Sequence, residues 1–247
     1  MSVIGIIPAR YGSTRFPGKP LVLIGGKTMI RRTYERAALS SLDAVVVATD
    51  DQRIFDEVLG FGGRAVMTRS DHRSGTDRCR EALDLTGEAY VAVVNIQGDE
   101  PFIDPRHIDG VAALIRQPEV QLATLACKID DPARLGDPNT VKVVMGHEGD
   151  ALYFSRHPIP FLRGVEPSLW IQKTDYYQHI GLYAYRVDTL CAITALPAGK
   201  LEQAESLEQL RWLEHGLKIK VAVTDIAMSY SIDTPEDLVH IPQELLR

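Results

Sequence analysis

Cysteine is scarce in this chain of 247 residues: it occurs three times, at Cys79, Cys127 and Cys191. An odd number of widely spaced thiols suits neither a disulfide framework nor a zinc cluster, so buried structural thiols are expected. Long apolar runs are missing too, and no basic leader followed by an apolar core opens the sequence. A bilayer span needs roughly 20 consecutive apolar residues, so no membrane association is predicted and a cytoplasmic protein is expected. Positive charge is in deficit, 27 Lys and Arg against 33 Asp and Glu for a formal net charge of −6, which argues against a general nucleic-acid binder. No Walker A element and no Gly-x-Gly-x-x-Gly fingerprint is present. Internal repeats, low-complexity segments and breaks in composition are likewise absent, so a single domain over residues 1–247 is expected.

What the chain does have is organised around Gly5 to Lys19. The stretch begins as an uninterrupted β-branched run, Val3 to Ile7, of the kind that forms a parallel strand buried on both faces. It passes directly into a short basic loop. Gly12 and Gly18 permit close backbone approach, Pro8 and Pro17 stiffen the turn, and Arg10, Arg15 and Lys19 place three cations within ten residues. Open α/β sheets bind ligands at the carboxyl ends of their strands. The loop is therefore read as a phosphate cradle, and a local basic pocket in an acidic protein suggests a small anionic ligand.

Met29, Ile30, Tyr34, Ala37 and Ala38 then recur at helical spacing, and Ala44 to Ala48 is a second buried strand. Asp50 and Asp51 are expected to cap the following helix, which carries Ile54, Phe55 and Val58. Arg64 to Thr68 reads as a strand leading into His72 to Arg78, where Ser74 or Thr76 is either a helix cap or, with Arg78, part of a nucleobase site. Tyr90 to Ile96 is the strongest strand and delivers Gln97-Gly-Asp-Glu-Pro101 at its end. A carboxylate there, facing a phosphate loop, suits Mg²⁺, which takes carboxylate and phosphate oxygens together, so Asp99 is the first metal-ligand candidate.

From about Ala123 the pattern changes to strand-like runs without regular helices between them: Ala123 to Ile129, Val141 to Met145, Ala151 to Ser155 and His179 to Tyr185. An antiparallel elaboration over about 123–186 is predicted, supplying a substrate cover or a subunit interface. Leu207, Leu210, Leu213 and Leu217 make one helical stripe with Glu205, Glu208 and Gln209 off it, and Lys218 to Thr224 is a last strand. Capping accounts for Thr234, Pro235 and Asp237 near the end and gives no such duty to Asp233.

Six segments in order closely resemble one family: Ile7 to Lys19, Ser74 to Arg78, Asn95 to Pro101, His179 to Arg186, Glu205 to Arg211 and Asp233 to Asp237. The resemblance, which runs essentially end to end, is to the CMP-Kdo synthetases, the 3-deoxy-manno-octulosonate cytidylyltransferases of bacterial lipopolysaccharide synthesis. It implies a three-layer, Rossmann-like nucleotidyltransferase fold with a mostly parallel sheet, a homodimer, and transfer of CMP from CTP to Kdo with release of pyrophosphate. By the family pattern Ala9, Arg10, Ser13 and Lys19 hold the triphosphate with Arg15 nearby, on the substrate side. Ser74, Thr76, Arg78 and Gln97 surround the cytidine, and Asp99 and Asp233 bind Mg²⁺. Arg156, His179, Tyr183, Tyr185, Glu208 and Gln209 form the sugar-acid pocket, although a lone histidine such as His179 is more often structural. Arg10, Lys19, Asp99 and Asp233 are the residues expected to carry catalysis. Two other functions compete: activation of another sugar acid, an 8-amino-Kdo or a sialic acid, and a non-catalytic nucleotide binder, which would have little use for both aspartates.

Overall fold

The structure, a computed structural model, describes residues 1–12 and 16–246. Its strands are β1 (Val3–Ala9), β2 (Leu23–Ile24), β3 (Lys27–Thr28), β4 (Ala44–Thr49), β5 (Ala65–Met67), β6 (Ala92–Asn95), β7 (Leu122–Lys128), β8 (Lys142–Met145), β9 (Ala151–Ser155), β10 (Tyr177–Arg186) and β11 (Lys220–Thr224). β2 and β3 form a separate small hairpin. The β-branched strands β1, β4 and β6 are almost entirely buried, as strands covered on both faces must be. The main sheet runs β11-β7-β10-β6-β1-β4-β5. β1 pairs in parallel with β4 and β6, β4 with β5, and β7 with β11, while β10 lies antiparallel between β6 and β7.

The helices are α1 (Met29–Ala38), α2 (Gln52–Gly60), α3 (Gly75–Thr86), α4 (Pro105–Ile115), α5 (Pro132–Gly136), α6 (Trp170–Lys173), α7 (Val187–Thr194), α8 (Lys200–Glu205) and α9 (Gln209–Glu214). α1, α2 and α4 bury Ile30, Ile54, Val58, Ile108 and Val111 against one face of the sheet. On the other face α3, α7 and α9 bury Cys79, Ala82, Leu190, Leu210 and Trp212. The three layers that the resemblance implies are therefore present. Among the described residues no helix is long and apolar enough to cross a membrane.

Four local expectations change. The strands over 123–186 are antiparallel as predicted, β10 to β7 and β8, and β8 to β9, but they are not all an addition to the core: β7 and β10 lie inside the main sheet, where β7 also pairs in parallel with β11, and of these four strands β8 and β9 stand off its path. The Leu207–Leu217 stripe is not one helix. α8 ends at Ser206, whose φ of 52° is left-handed, and α9 begins afresh at Gln209. Asp51 caps α2, accepting from the Arg53 amide at 3.0 Å, whereas Asp50 pairs with Arg78 at 3.0 Å instead of capping. Cys79 and Cys127 are buried, but Cys191 on α7 is only half-buried. α4 is not among the expected elements, although Asp104 as cap and Pro105 at the first helical position signal its start.

Candidate active site

β1 and β6 are neighbours, so their carboxyl ends bring the basic loop and the Gln97–Pro101 turn together. Gly98 allows this closeness: a Cβ there would stand 2.9 Å from the Pro8 carbonyl oxygen. The result is a cleft of about 240 Å³ lined by Pro8, Ala9, Arg10, Lys19, Pro20, His72, Arg73, Ser74, Gly75, Arg78, Gln97, Gly98 and Asp99. Ala9, Arg10, Lys19, Ser74, Arg78, Gln97 and Asp99 of the expected set thus share one cavity. Ser13 and Arg15 lie outside the described residues. His72, Arg73 and Gly75 were missed as lining residues, though they flank Ser74 in the same quoted run.

Lys19 organises the cleft electrostatically. Its half-buried ammonium donates to Asp99 Oδ2 at 2.9 Å and to the Ile232 carbonyl at 3.0 Å, and lies 3.6 Å from Asp233 Oδ1. Two carboxylates separated by more than 130 positions in the chain therefore converge on one point of positive charge. The neighbouring Glu100 is half-buried, and loss of solvent together with Asp99 and Asp233 pushes its carboxyl up to about 7, against a stabilising hydrogen bond from Ser229 Oγ at 2.9 Å. Arg10 is exposed at the rim. Arg78 is buried and donates to Asp50, Thr68 Oγ1 and the Arg69 carbonyl, so its charge is compensated from behind the cleft. Ser74 Oγ accepts from the Asp77 amide at 3.1 Å as the cap of α3.

A second group of expected residues lies on the same face of the sheet as α3. Tyr183 and Tyr185 alternate along β10 and are stacked with ring centroids 6.1 Å apart, His179 is 5.2 Å from Tyr183, and Trp212 meets both tyrosines edge-on. Thr76 turns away from the cleft and donates to Glu208 Oε2 at 2.7 Å. Burial raises the Glu208 carboxyl and the two phenols above their usual ranges. Burial also pushes the His179 imidazole down to about 3. The Thr124 hydroxyl has a single proton and faces the carbonyls of Leu182 at 2.8 Å and Ile180 at 3.1 Å, so it accepts from His179 Nε2–H at 3.0 Å. The imidazole is then neutral with Nδ1 an acceptor. Gln209 is buried at the start of α9.

Among the described residues, Asn95 Oδ1 and Tyr183 Oη are buried without a hydrogen-bond partner, and so is Tyr185 Oη, which has the side chains of Thr76 and Asn95 nearby but not in hydrogen-bond geometry. Asn95 and Tyr183 are register partners on β6 and β10, so these polar atoms lie together on one face. Asn95 was not singled out from the sequence. Arg156 stands apart: its guanidinium donates to the carbonyls of Glu205 at 2.7 Å, Pro138 at 3.0 Å and Ser206 at 3.3 Å. Facing the main chain in this way, it braces the end of α8 instead of presenting a free fork to a carboxylate.

The family described as Cytidylyltransferase matches residues 4–219. A 3-deoxy-manno-octulosonate cytidylyltransferase of Bacteroides thetaiotaomicron is 54% identical over 99% of this chain and 98% of its own length. One of Phocaeicola vulgatus is 53% identical over 96% of this chain and 95% of its own. Among solved structures, CMP:2-keto-3-deoxy-manno-octonic acid synthetase complexed with CTP superposes with a TM-score of 0.89 at 44% identity, covering 97% of this chain and 96% of that one. A 4-diphosphocytidyl-2C-methyl-D-erythritol synthase from Anaerococcus prevotii, 14% identical with a TM-score of 0.62 over 97% of this chain and 93% of its own, shares the fold.

Proposed function

We propose, from the premise that this chain belongs to the cytidylyltransferase family, that it transfers CMP from CTP to the anomeric hydroxyl of 3-deoxy-D-manno-octulosonate (Kdo), releasing pyrophosphate. The product, CMP-Kdo, serves lipopolysaccharide synthesis. The observation that carries this in the structure is the convergence of Asp99 and Asp233 on Lys19 at the mouth of the β1–β6 cleft. It places charge-neutralising groups of both signs where a triphosphate and its counter-ion would meet. Relatives named for Kdo at about half identity over nearly their whole length support the choice of sugar acid over an 8-amino-Kdo or a sialic acid.

The attacking hydroxyl must reach the α-phosphorus in line as pyrophosphate leaves, so the protein chiefly positions partners and neutralises charge. Arg10 and Lys19 are assigned to the triphosphate, and Gln97 and Ser74, which line the same cleft, to the base. Tyr183, Tyr185, Glu208 and Gln209 are assigned to the sugar hydroxyls, with the neutral His179 oriented by Thr124. Asp99 and Asp233 are a hard-oxygen pair already drawn to one cation, which fits Mg²⁺ held by two carboxylates and completed by phosphate oxygens. When bound, Mg²⁺ neutralises phosphate charge and acidifies a coordinated hydroxyl. We further assign the enzyme to the cytoplasm, where CTP is made, and to a homodimer. The exposed Leu152 and Phe161 of the β8–β9 region support a covered surface there. Pyrophosphate release measured with CTP, Mg²⁺ and a panel of sugar acids tests this function. A clear preference for Kdo is expected, and release with a sialic acid at equal efficiency would overturn the substrate assignment.

A further inference from the structure

Asp233 does not rest on either face of the main sheet. The residue before it, Ile232, is fully buried in a separate small core with Ile24 and Met29, against which Phe102, Leu238 and Leu246 pack. The chain beyond Asp233 wraps over that core in two short turns of 3-10 helix, Pro235–His240 and Gln243–Leu246. The first turn holds Asp233 directly: Asp237 Oδ2 accepts from the amides of Asp233 and Thr234, each at 2.8 Å, and Tyr230 Oη donates to the Asp237 carbonyl. The second turn is fastened by Arg32 of α1. Its Nε donates to the Ile24 carbonyl at 2.6 Å, its terminal nitrogens reach the carbonyls of Leu245 at 3.4 Å and Leu246 at 3.5 Å, and its guanidinium lies 5.6 Å from the centre of the Phe102 ring.

Among the described residues Arg32 has no acidic partner, so its charge is committed to main-chain carbonyls and one aromatic face. An arginine used in this way contributes geometry, because a planar fork fixes the relative position of every segment it bridges. Here it bridges the β2–β3 hairpin and the end of the chain. Between them lies the segment whose Ile232 amide donates to the Asp99 carbonyl at 3.1 Å and whose Ile232 carbonyl accepts from Lys19. We propose that Arg32 is a positioning residue for Asp233: by fastening residues 235–246 over the small core, it fixes the distance between the Asp233 and Asp99 carboxylates. This rests on the assignment of those two carboxylates as one metal-binding pair.

The test uses full-length Arg32→Ala and, should that variant fail to fold, Leu246→Ser, which removes an apolar contact at the end of the fastened segment and leaves every charge in place. Each is made in the wild-type and Asp233→Asn backgrounds. With Kdo, CTP and Mg²⁺, kcat should fall about tenfold in the wild-type background and less than twofold in Asp233→Asn, with the KM for CTP changed less than about twofold. In metal-free protein, exchange of the Ile232 amide should quicken about tenfold while amides of β1 and β6 keep their rates. Equal losses of kcat in both backgrounds, or unchanged exchange at Ile232, would overturn the role of Arg32. Undiminished kcat in Asp233→Asn alone would instead overturn the metal-pair assignment on which it rests.

Discussion

On the cleft side Arg10 is exposed, Lys19 gathers two carboxylates, and Arg78 is balanced by Asp50. On the side assigned to the acceptor His179, Tyr183 and Tyr185 are buried, burial holds them uncharged, and two of their polar atoms have no partner among the described residues. The contrast is the one that the proposed assignment, triphosphate on the first side and sugar on the second, calls for. A triphosphate brings several negative charges that are best met by compensated cations near water, whereas a sugar offers hydroxyls that are best read by neutral donors and acceptors in a dry wall. One side is built from charge and the other from withheld hydrogen bonds.

The sharpest way to break this contrast is to remove charge from the first side. Asp99→Asn and Asp233→Asn keep the shape of the side chains but halve the negative charge gathered by Lys19. Each is expected to reduce kcat by roughly a thousandfold or more, several kcal/mol of transition-state stabilisation, with the fold intact. Steady-state pyrophosphate release together with thermal unfolding checks this, and near-normal kcat in either folded variant would remove that carboxylate from the metal pair.

The two sides also differed in how far they could be read from sequence. Most of the cleft comes from contiguous runs at the ends of β1 and β6, where a buried strand followed by glycine and charge is a local signal. The acceptor wall joins Thr76 on α3, Tyr183 and Tyr185 on β10, and Glu208 before α9, and no local pattern announces that these meet. Only the family resemblance grouped the last three, and it left out Asn95. The Leu207–Leu217 stripe was misread as one helix because spacing carries no mark of the left-handed turn at Ser206. That β7 lies inside the main sheet and not in an added unit was not legible, because a buried run carries no mark of which strands it will lie between.

The dryness of the acceptor wall has its own test in acid. His179 is held near 3 against an ordinary value of 6.5 because burial disfavours the charged ring. The unfolded chain therefore binds a proton that the folded one refuses. The associated stability is complete above pH 6.5 and declines as pH falls toward 3. Between pH 6.5 and about pH 5 wild type should lose roughly 2 kcal/mol that a His179→Gln variant does not lose. Denaturant unfolding of both proteins across that range measures the difference, and parallel pH profiles would mean that the ring is solvated.

Arg156 separates bracing from binding. Its contacts to the carbonyls of Pro138, Glu205 and Ser206 predict that Arg156→Lys loses about 1–2 kcal/mol of stability, since lysine cannot span three acceptors in a plane. The KM for the sugar should stay within about twofold of wild type if bracing is the whole role. A large rise in that KM at unchanged stability would return Arg156 to the sugar carboxylate.

The smallest expected effect is the most specific to the acceptor side. A buried hydroxyl with no partner lowers the stability of the free protein, and among the described residues Tyr185 Oη is such a group. Tyr185→Phe removes it without opening a cavity in the stack with Tyr183 and Trp212. The variant should be more stable than wild type by about 1 kcal/mol, because the desolvation cost of an unsatisfied donor disappears. If the hydroxyl is kept for the sugar, the same variant should bind Kdo about tenfold more weakly while its KM for CTP is unchanged, since a polar partner on the ligand is left unpaired. Opposite changes in stability and sugar affinity are the signature of a hydrogen bond reserved for a ligand. A variant that loses stability shows that Tyr185 Oη has a partner in the folded protein, and one that gains stability with unchanged Kdo binding shows that the hydroxyl does not face the sugar.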